Sequence, residues 1–366
     1  MSFFTFLGEK QESPKLASAV LGILINFFLA LLIIFRSDRG LGPYKYLLLS
    51  ITILSLLYAF SLLLLSPEIE HTGYTFLVIA RLDRFRMPHA ISIILLAMYA
   101  GTYGSMFANV ATHFHYRHTL IVGRKPGILA RSSLQKVWPW LLIPLVLGTI
   151  WALITILVCG PNSLTDHEIK LYLLENLHLN AQDIVYIGPN LWNQQGNISW
   201  LVVSGLATDT IIIGASCATI LVYLKKIGKF LFSRSSSSIR HVKLHKQLFW
   251  ALIWQTIISG LLLLAPCVIL FFSIAFPFLG HGCSVITLVT YIFPIINPLP
   301  TLWVVRCYRK AIVDFAHLLK RRTWSLFCRK TTPEVVVSGA EVIEMVDSSR
   351  AVTASAHSKV GRISKL

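Results

Sequence analysis

The 366-residue chain is 55% hydrophobic and only 13% charged, with a formal net charge of +17. That composition excludes an ordinary soluble globule and points to a protein of the bilayer. The positive excess does not argue for nucleic acid as a partner, because it gathers in alternate segments between apolar blocks, where Lys and Arg face anionic membrane lipid.

Residues 1–15 hold two acids and two lysines, with no basic stretch leading into an apolar run. They read as an extracellular N-terminal segment and not as a cleavable signal peptide, so the first apolar block must direct insertion. Seven such blocks follow, at 16–35, 46–65, 89–114, 137–158, 200–224, 247–272 and 284–305. Each is long enough, as a helix, to cross roughly 30 Å of hydrocarbon. Lys and Arg number three in 36–45, five in 115–136, seven in 225–246 and eight in 306–330. The N-terminal segment and the loops 66–88, 159–199 and 273–283 hold two, three, one and none. Basic loops stay cytoplasmic. The expected fold is therefore an all-α membrane protein: a seven-transmembrane helix bundle over 16–305, GPCR-like, with the N-terminus outside.

Between the second and third blocks, residues 74–80 are apolar but too short to span, and belong to the first outer loop, packed on the bundle. The second outer loop, 159–199, contains a helix-like stretch at 166–177 and one sequon, Asn197-Ile198-Ser199, so Asn197 is a candidate glycosylation site. Of six cysteines, only Cys159 and Cys283 reach the oxidising side. They could form a disulfide or remain two buried thiols. In the third inner loop, Ser233 and Ser235 to Ser238 stand among basic residues, as a solvated linker or a phosphorylated regulatory segment. After the seventh block, Ala311, Ile312, Phe315, Leu318 and Leu319 recur at helical spacing, so 306–330 reads as a cytoplasmic amphipathic helix on membrane lipid. Cys328 near its end is either a palmitoylation site or a plain thiol. The remainder, 331–366, is poor in apolar residues and rich in Ser and Thr, the composition of a disordered C-terminal tail.

Enzymatic signatures are missing: there is no GxGxxG, no P-loop and no CxxC pair, so neither catalysis nor a cofactor is expected. His241 and His245 share the spacing of a metal pair, but no Glu follows the first as in HExxH, and no metal site is read there. His113, Phe114, His115, Tyr116, Arg117 and His118 close the third block. An arginine at that depth has two readings, a snorkelling anchor or an inner switch that exchanges partners between two states. Position alone does not choose.

The stretch from His113 to His118 resembles the F-x-Y-R-Y element of the nematode serpentine chemoreceptors, specifically their Str family of seven-helix receptors. Gly42-Pro43-Tyr44-Lys45-Tyr46-Leu47 resembles that family's entry to the second span, and 180–188, with Asp183 and Tyr186-Ile187-Gly188, its second outer loop. Gln247-Leu248-Phe249-Trp250-Ala251-Leu252 with Gln255-Thr256 resembles the opening of the sixth span, and Pro298 through Tyr308-Arg309-Lys310-Ala311-Ile312 the exit of the seventh. The likeness runs from residue 15 to about 315. Two departures stand out: Asn297 replaces the acid expected before the proline, and His118 replaces the second tyrosine. The resemblance implies coupling to a heterotrimeric G protein, with Tyr116, Arg117, Asn297, Pro298, Tyr308 and Arg309 at the switch. The chain also lacks an acid before Arg117 and a Trp two residues before Pro266, which argues against a rhodopsin-like amine or peptide receptor.

Asp209 lies nine residues into the fifth block, about 14 Å deep. A carboxylate there must face the bundle interior. It could contact a ligand or hydrogen-bond to Thr208, Thr210 or another helix. Tyr99 and Tyr103 share a helix face one turn apart, and with Gln255 and Tyr291 they could line a mostly apolar cavity for a small odorant or simply pack. Pro266, Pro294, Pro298 and Pro300 mark candidate kinks. Three functions fit the chain: a chemosensory G-protein-coupled receptor for a small environmental molecule, a receptor-like protein without external ligand, and a transporter or channel. The first is favoured, since no inverted repeat is visible and one buried acid makes a poor ion path. It would sit in the plasma membrane, and the family likeness extends to sensory cilia.

Overall fold

The computed structural model of the chain describes residues 12–37, 41–72, 75–81, 88–121, 137–161, 184–191, 197–233 and 239–331. Helix α1 spans Glu12–Arg36, α2 Tyr44–Leu65, α3 His89–Ile121, α4 Trp138–Val158 and α5 Trp200–Ser233. The sixth span is built from α6 (Ile239–Ser259), a π-helical turn (Gly260–Leu264) and α7 (Ala265–Ser273). The seventh joins α8 (Cys283–Ile296) to α9 (Leu299–Val304), and α10 covers Arg306–Thr331. Seven of these stretches are long and apolar enough to cross a membrane. Residues through Ala311 belong to one compact unit, and Ile312 begins a second.

Several helices outrun their apolar blocks. Helix α3 continues to Ile121, α5 to Ser233, and α6 starts at Ile239. Hydropathy marks where hydrocarbon ends, but Lys, Arg and Gln are good helix formers, so the helix need not stop there. At the start of α2, Gly42 takes a φ of +51°, a conformation costly for residues with a Cβ, and Pro43 caps the helix that Tyr44 opens.

The prolines act as the sequence suggests, and the structure shows what compensates them. Pro266 is the second residue after the π-helical turn, whose last bond runs from the Ala265 N–H to the Gly260 carbonyl, so the residue without an N–H comes just after it. Pro294 lies inside α8 and cannot donate to Thr290, four residues earlier. The Thr290 carbonyl instead accepts from the Tyr58 hydroxyl at 3.3 Å. Pro298, between α8 and α9, likewise leaves the Pro294 carbonyl without its helical donor, and Asn26 Nδ2 donates to it at 2.7 Å. These two orphaned acceptors thus pin neighbouring helices.

The fold is not purely helical. An antiparallel sheet of order β1-β2-β3 is formed by Glu68–His71, Phe76–Arg81 and Ile184–Ile187. Val78 pairs with Ile69 on one side and Ile187 on the other. Side chains alternate across it. Phe76, Val78, Ala80, Val185 and Ile187 join the main core of the bundle, while Leu77, Ile79, Ile184 and Tyr186 form a separate cluster on the other face. The segment expected in the first outer loop, packed on the bundle, is largely strand β2. Four contacts fasten the sheet to the bundle. Lys15 Nζ pairs with Glu68 at 2.6 Å, and the Ile69 N–H donates to Thr287 Oγ1 at 3.0 Å. The His71 ring lies 3.2 Å from the Ser273 carbonyl, and the Gly188 N–H donates to the Cys159 carbonyl at 2.8 Å.

Some expectations fall outside the described residues: most of the N-terminal segment, Tyr74, the stretch 166–177, Asp183, Ser235 to Ser238 and the tail beyond Thr331. The side chains of His241, His245 and Cys328 do as well. Among the described residues no group of three or more His, Cys, Asp or Glu is placed to hold a metal.

Candidate functional site

Beneath the sheet lies a cavity of about 100 Å³, walled by the third to sixth spans and roofed by residues of all three strands, Ile69, Phe76, Val78 and Ile187. Two tyrosines enter from α3. Tyr99 and Tyr103, one turn apart, both line the cavity, with ring centroids 5.7 Å apart. Their hydroxyls sit 3.5 and 3.4 Å from the hydroxyl of Tyr58 on α2. The Tyr58 hydroxyl also lies 3.3 Å from the Thr290 carbonyl, and either oxygen can donate in its two contacts with the pair on α3. Three tyrosines thereby connect the cavity wall to the proline-weakened stretch of the seventh span.

Asp209 reaches the cavity from α5 and is 4% exposed. The alternative of a hydrogen bond to its sequence neighbours is not realised. Thr208 donates to the Ser204 carbonyl and Thr210 to the Leu206 carbonyl, each within its own helix. Asp209 Oδ1 has no hydrogen-bond partner among the described residues. Thr155, also lining the cavity, turns its hydroxyl to the Trp151 carbonyl. The nearby Cys159 thiol is pushed up to about 12, by burial first and by Asp209 second, and so stays neutral.

Gly188 shows why glycine follows β3. A Cβ there would lie 2.6 Å from both the Phe76 carbonyl and a Leu77 methyl, so a side chain would prise the cavity roof from the strand beside it. This gives a physical role to the Tyr186-Ile187-Gly188 motif.

Two residues expected at a ligand lie elsewhere. Gln255 does not line the cavity; its side-chain amide Nε2 donates to Thr301 Oγ1 at 2.9 Å and ties the sixth span to the seventh. Tyr291 is buried in the main core, outside the cavity lining. Both were expected as polar groups in a mostly apolar cavity, but helix packing turns Gln255 toward the seventh span and buries Tyr291 in the core. Cys159 and Cys283 are free thiols and not a disulfide; Cys159 lines the cavity and Cys283 lies near Glu70. Sequence reading missed Phe76, Val78, Ile187 and Trp151. The first three depend on a sheet that local patterns do not reveal, and Trp151 sits in a uniformly apolar helix with nothing to single it out.

At the opposite end of α3, Arg117 is 1% exposed. Its guanidinium lies 5.7 Å from the Tyr44 ring centre. The Tyr44 hydroxyl stands 3.4 Å from His113 Nδ1, and the Tyr116 ring stacks near Tyr44 at 6.4 Å. A snorkelling anchor would extend toward water; this arginine is instead enclosed by aromatic groups. His115 stacks on Tyr223 at 4.6 Å and His118 lies tilted on the same ring at 5.0 Å, so the imidazoles join α3 to α5. Asn297, buried, donates to Ser55 Oγ at 2.9 Å, and Pro298 follows it at the break between α8 and α9. Tyr308 is buried with its hydroxyl 2.9 Å from Ser37 Oγ, whereas Arg309 is exposed. Asn197 is exposed three residues before α5 begins.

Comparison with known proteins follows the same outline. The family model described as serpentine type 7TM GPCR chemoreceptor Str matches residues 12–313. Among curated proteins, a G-protein coupled receptor of Caenorhabditis elegans, str-217, is 27% identical over 318 residues, covering 83% of this chain and 89% of the relative. Serpentine receptor class r-10 of the same nematode is 24% identical over 311 residues, covering 83% of this chain and 90% of the relative. Among solved structures, squid rhodopsin superposes with a TM-score of 0.53 over 82% of this chain and 78% of its own, at 10% identity, a likeness of fold alone.

Proposed function

Since the chain belongs to the serpentine Str family of seven-transmembrane chemoreceptors and is a multi-pass chemosensory receptor of GPCR type, we propose that its ligand is a small environmental molecule held in the cavity beneath the sheet. The single observation that carries this reading is the buried Asp209, with an unpartnered oxygen, in an otherwise apolar cavity shared with Tyr99 and Tyr103. A purely structural acid would have found a partner in the fold. The N-terminus and the sheet face outward in this reading, and the Arg117 end faces the cytoplasm. There the basic segments engage a heterotrimeric G protein at the plasma membrane, with sensory cilia as the site of display.

Binding acts through its differential affinity for two states of the bundle. A ligand pressing on Tyr99 and Tyr103 bears on Tyr58 and hence on the Thr290 carbonyl above Pro294. The π-helical turn before Pro266, itself in the cavity wall, and the break at Pro298 are the places where the sixth and seventh spans bend most readily. At the far end, Arg117 would exchange Tyr44 for a contact on the G protein.

The test is calcium imaging of cells expressing the chain with a promiscuous G protein, challenged with a panel of volatile compounds. A response that Leu206→Trp abolishes at equal surface level supports the cavity, because the added ring fills it. An odorant-gated current that persists without G protein would replace this reading with a channel.

A further inference from the structure

We infer that the cavity is built for a compact ammonium ion, with the carboxylate of Asp209 as its counter-ion. This rests on the ligand-binding reading above and names the chemical class of the ligand.

Size sets the first limit. At a minimum of roughly 10–15 Å³ per water-sized group, about 100 Å³ admits at most around seven to ten non-hydrogen atoms. Charge sets the second. Among the residues lining the cavity there is no Lys, Arg or His, and Asp209 is the only carboxylic acid. Its Oδ1 is buried without a partner among the described residues; Thr155, Thr208 and Thr210 donate to backbone carbonyls, and the Tyr99 and Tyr103 hydroxyls lie against that of Tyr58. Among the described residues, therefore, no cation lines the cavity and no group hydrogen-bonds this oxygen. A carboxylate removed from water is tolerated when a charge partner joins it. An anionic guest would be repelled, and an aprotic one would leave the oxygen as it is.

The rest of the wall favours the same guest. Phe76, Tyr99, Tyr103, Trp151 and Phe271 all line the cavity, and aromatic faces attract a desolvated ammonium group. A hydrocarbon body finds Val78, Ile187 and Leu270. The carboxylate stands on the fifth span, so the missing acid before Arg117 does not bear on it.

The experiment uses the full chain purified in lipid nanodiscs, with thermal unfolding as the readout. The probes are primary amines of about three to nine non-hydrogen atoms, cyclohexylamine among them, each paired with its alcohol isostere, here cyclohexanol. Amines in the size range should raise the melting temperature with apparent affinity about tenfold or more above their alcohols, and Asp209→Asn should remove that preference while leaving weak alcohol binding. Equal or better binding of the alcohols would overturn the inference, as would an undiminished preference in Asp209→Asn, or no shift with any amine. If Asp209→Asn does not fold, the amine-to-alcohol ratio on the unaltered chain decides alone. Binding of amines with no G-protein response in cells would remove the receptor reading and leave this inference standing. Responses to alcohols but not to amines would do the reverse.

Discussion

Raising the pH of the solubilised receptor from about 5 to about 8 should loosen the sheet from the bundle through one side chain, Glu70. Its carboxyl is raised from 4.5 to about 7, chiefly by burial and then by the charge of Glu68, with Lys15 opposing. The folded state therefore holds the Glu70 proton more tightly than the unfolded chain does. This contribution is complete below about pH 4.5, declines as pH rises, and is lost above about pH 7. A shift of that size corresponds to at most roughly 3 kcal/mol, and the partial exposure of Glu70 screens it to about 2. For a protein of this size that is a change of about 2–4 °C in melting temperature. The assay is thermal unfolding of the chain and of Glu70→Gln, whose amide imitates the protonated acid, at both pH values. The variant should exceed the unaltered chain at pH 8 and match it near pH 5. Taking the difference cancels the titrating groups that do not interact with Glu70. A gap independent of pH would refute the reasoning, because burial of the ionised carboxylate would then carry no penalty.

Epitope tags at the two termini should separate cleanly, with Met1 stained on intact cells and Leu366 only after permeabilisation. Arg117→Ala should depress signalling by tenfold or more at matched surface level, since it empties the aromatic enclosure around Tyr44; unchanged signalling would make the arginine an anchor. Gln255→Ala should leave ligand potency unaltered while lowering thermal stability by about 1–3 kcal/mol, because it strands the Thr301 hydroxyl outside the cavity; a selective loss of potency would return Gln255 to the ligand. Cys159→Ser and Cys283→Ser should each reach the surface normally, and both native thiols, pushed up to about 12 by burial, should resist alkylation in the folded chain at pH 8; joint loss of delivery with a shift on a non-reducing gel would indicate a bridge.

What the sequence settles is what depends on local composition. Seven apolar blocks of spanning length predict seven spans, because the solvation of a helix in hydrocarbon is a property of each stretch by itself. Tyr99 and Tyr103 share a face because helical periodicity puts them there. The inward orientation of Asp209 follows from the cost of a carboxylate facing lipid. The family motifs were legible as well, in the Tyr44, Arg117 and Tyr308 regions. Tertiary structure decided the rest. Strand β2 pairs with β3 across more than a hundred residues, Val78 with Ile187, and no local pattern records a partner so distant. The roof of the cavity, and with it Phe76 and Ile187, was therefore invisible. Gln255 and Asp209 each lie nine residues from an end of their spans, so depth alone treats them alike. Packing separates them: the sixth span turns Gln255 against Thr301, while α5 leaves Asp209 facing open space. Depth in a membrane is set by the solvation of one helix, but the neighbour a side chain meets is set by how several helices rotate against one another.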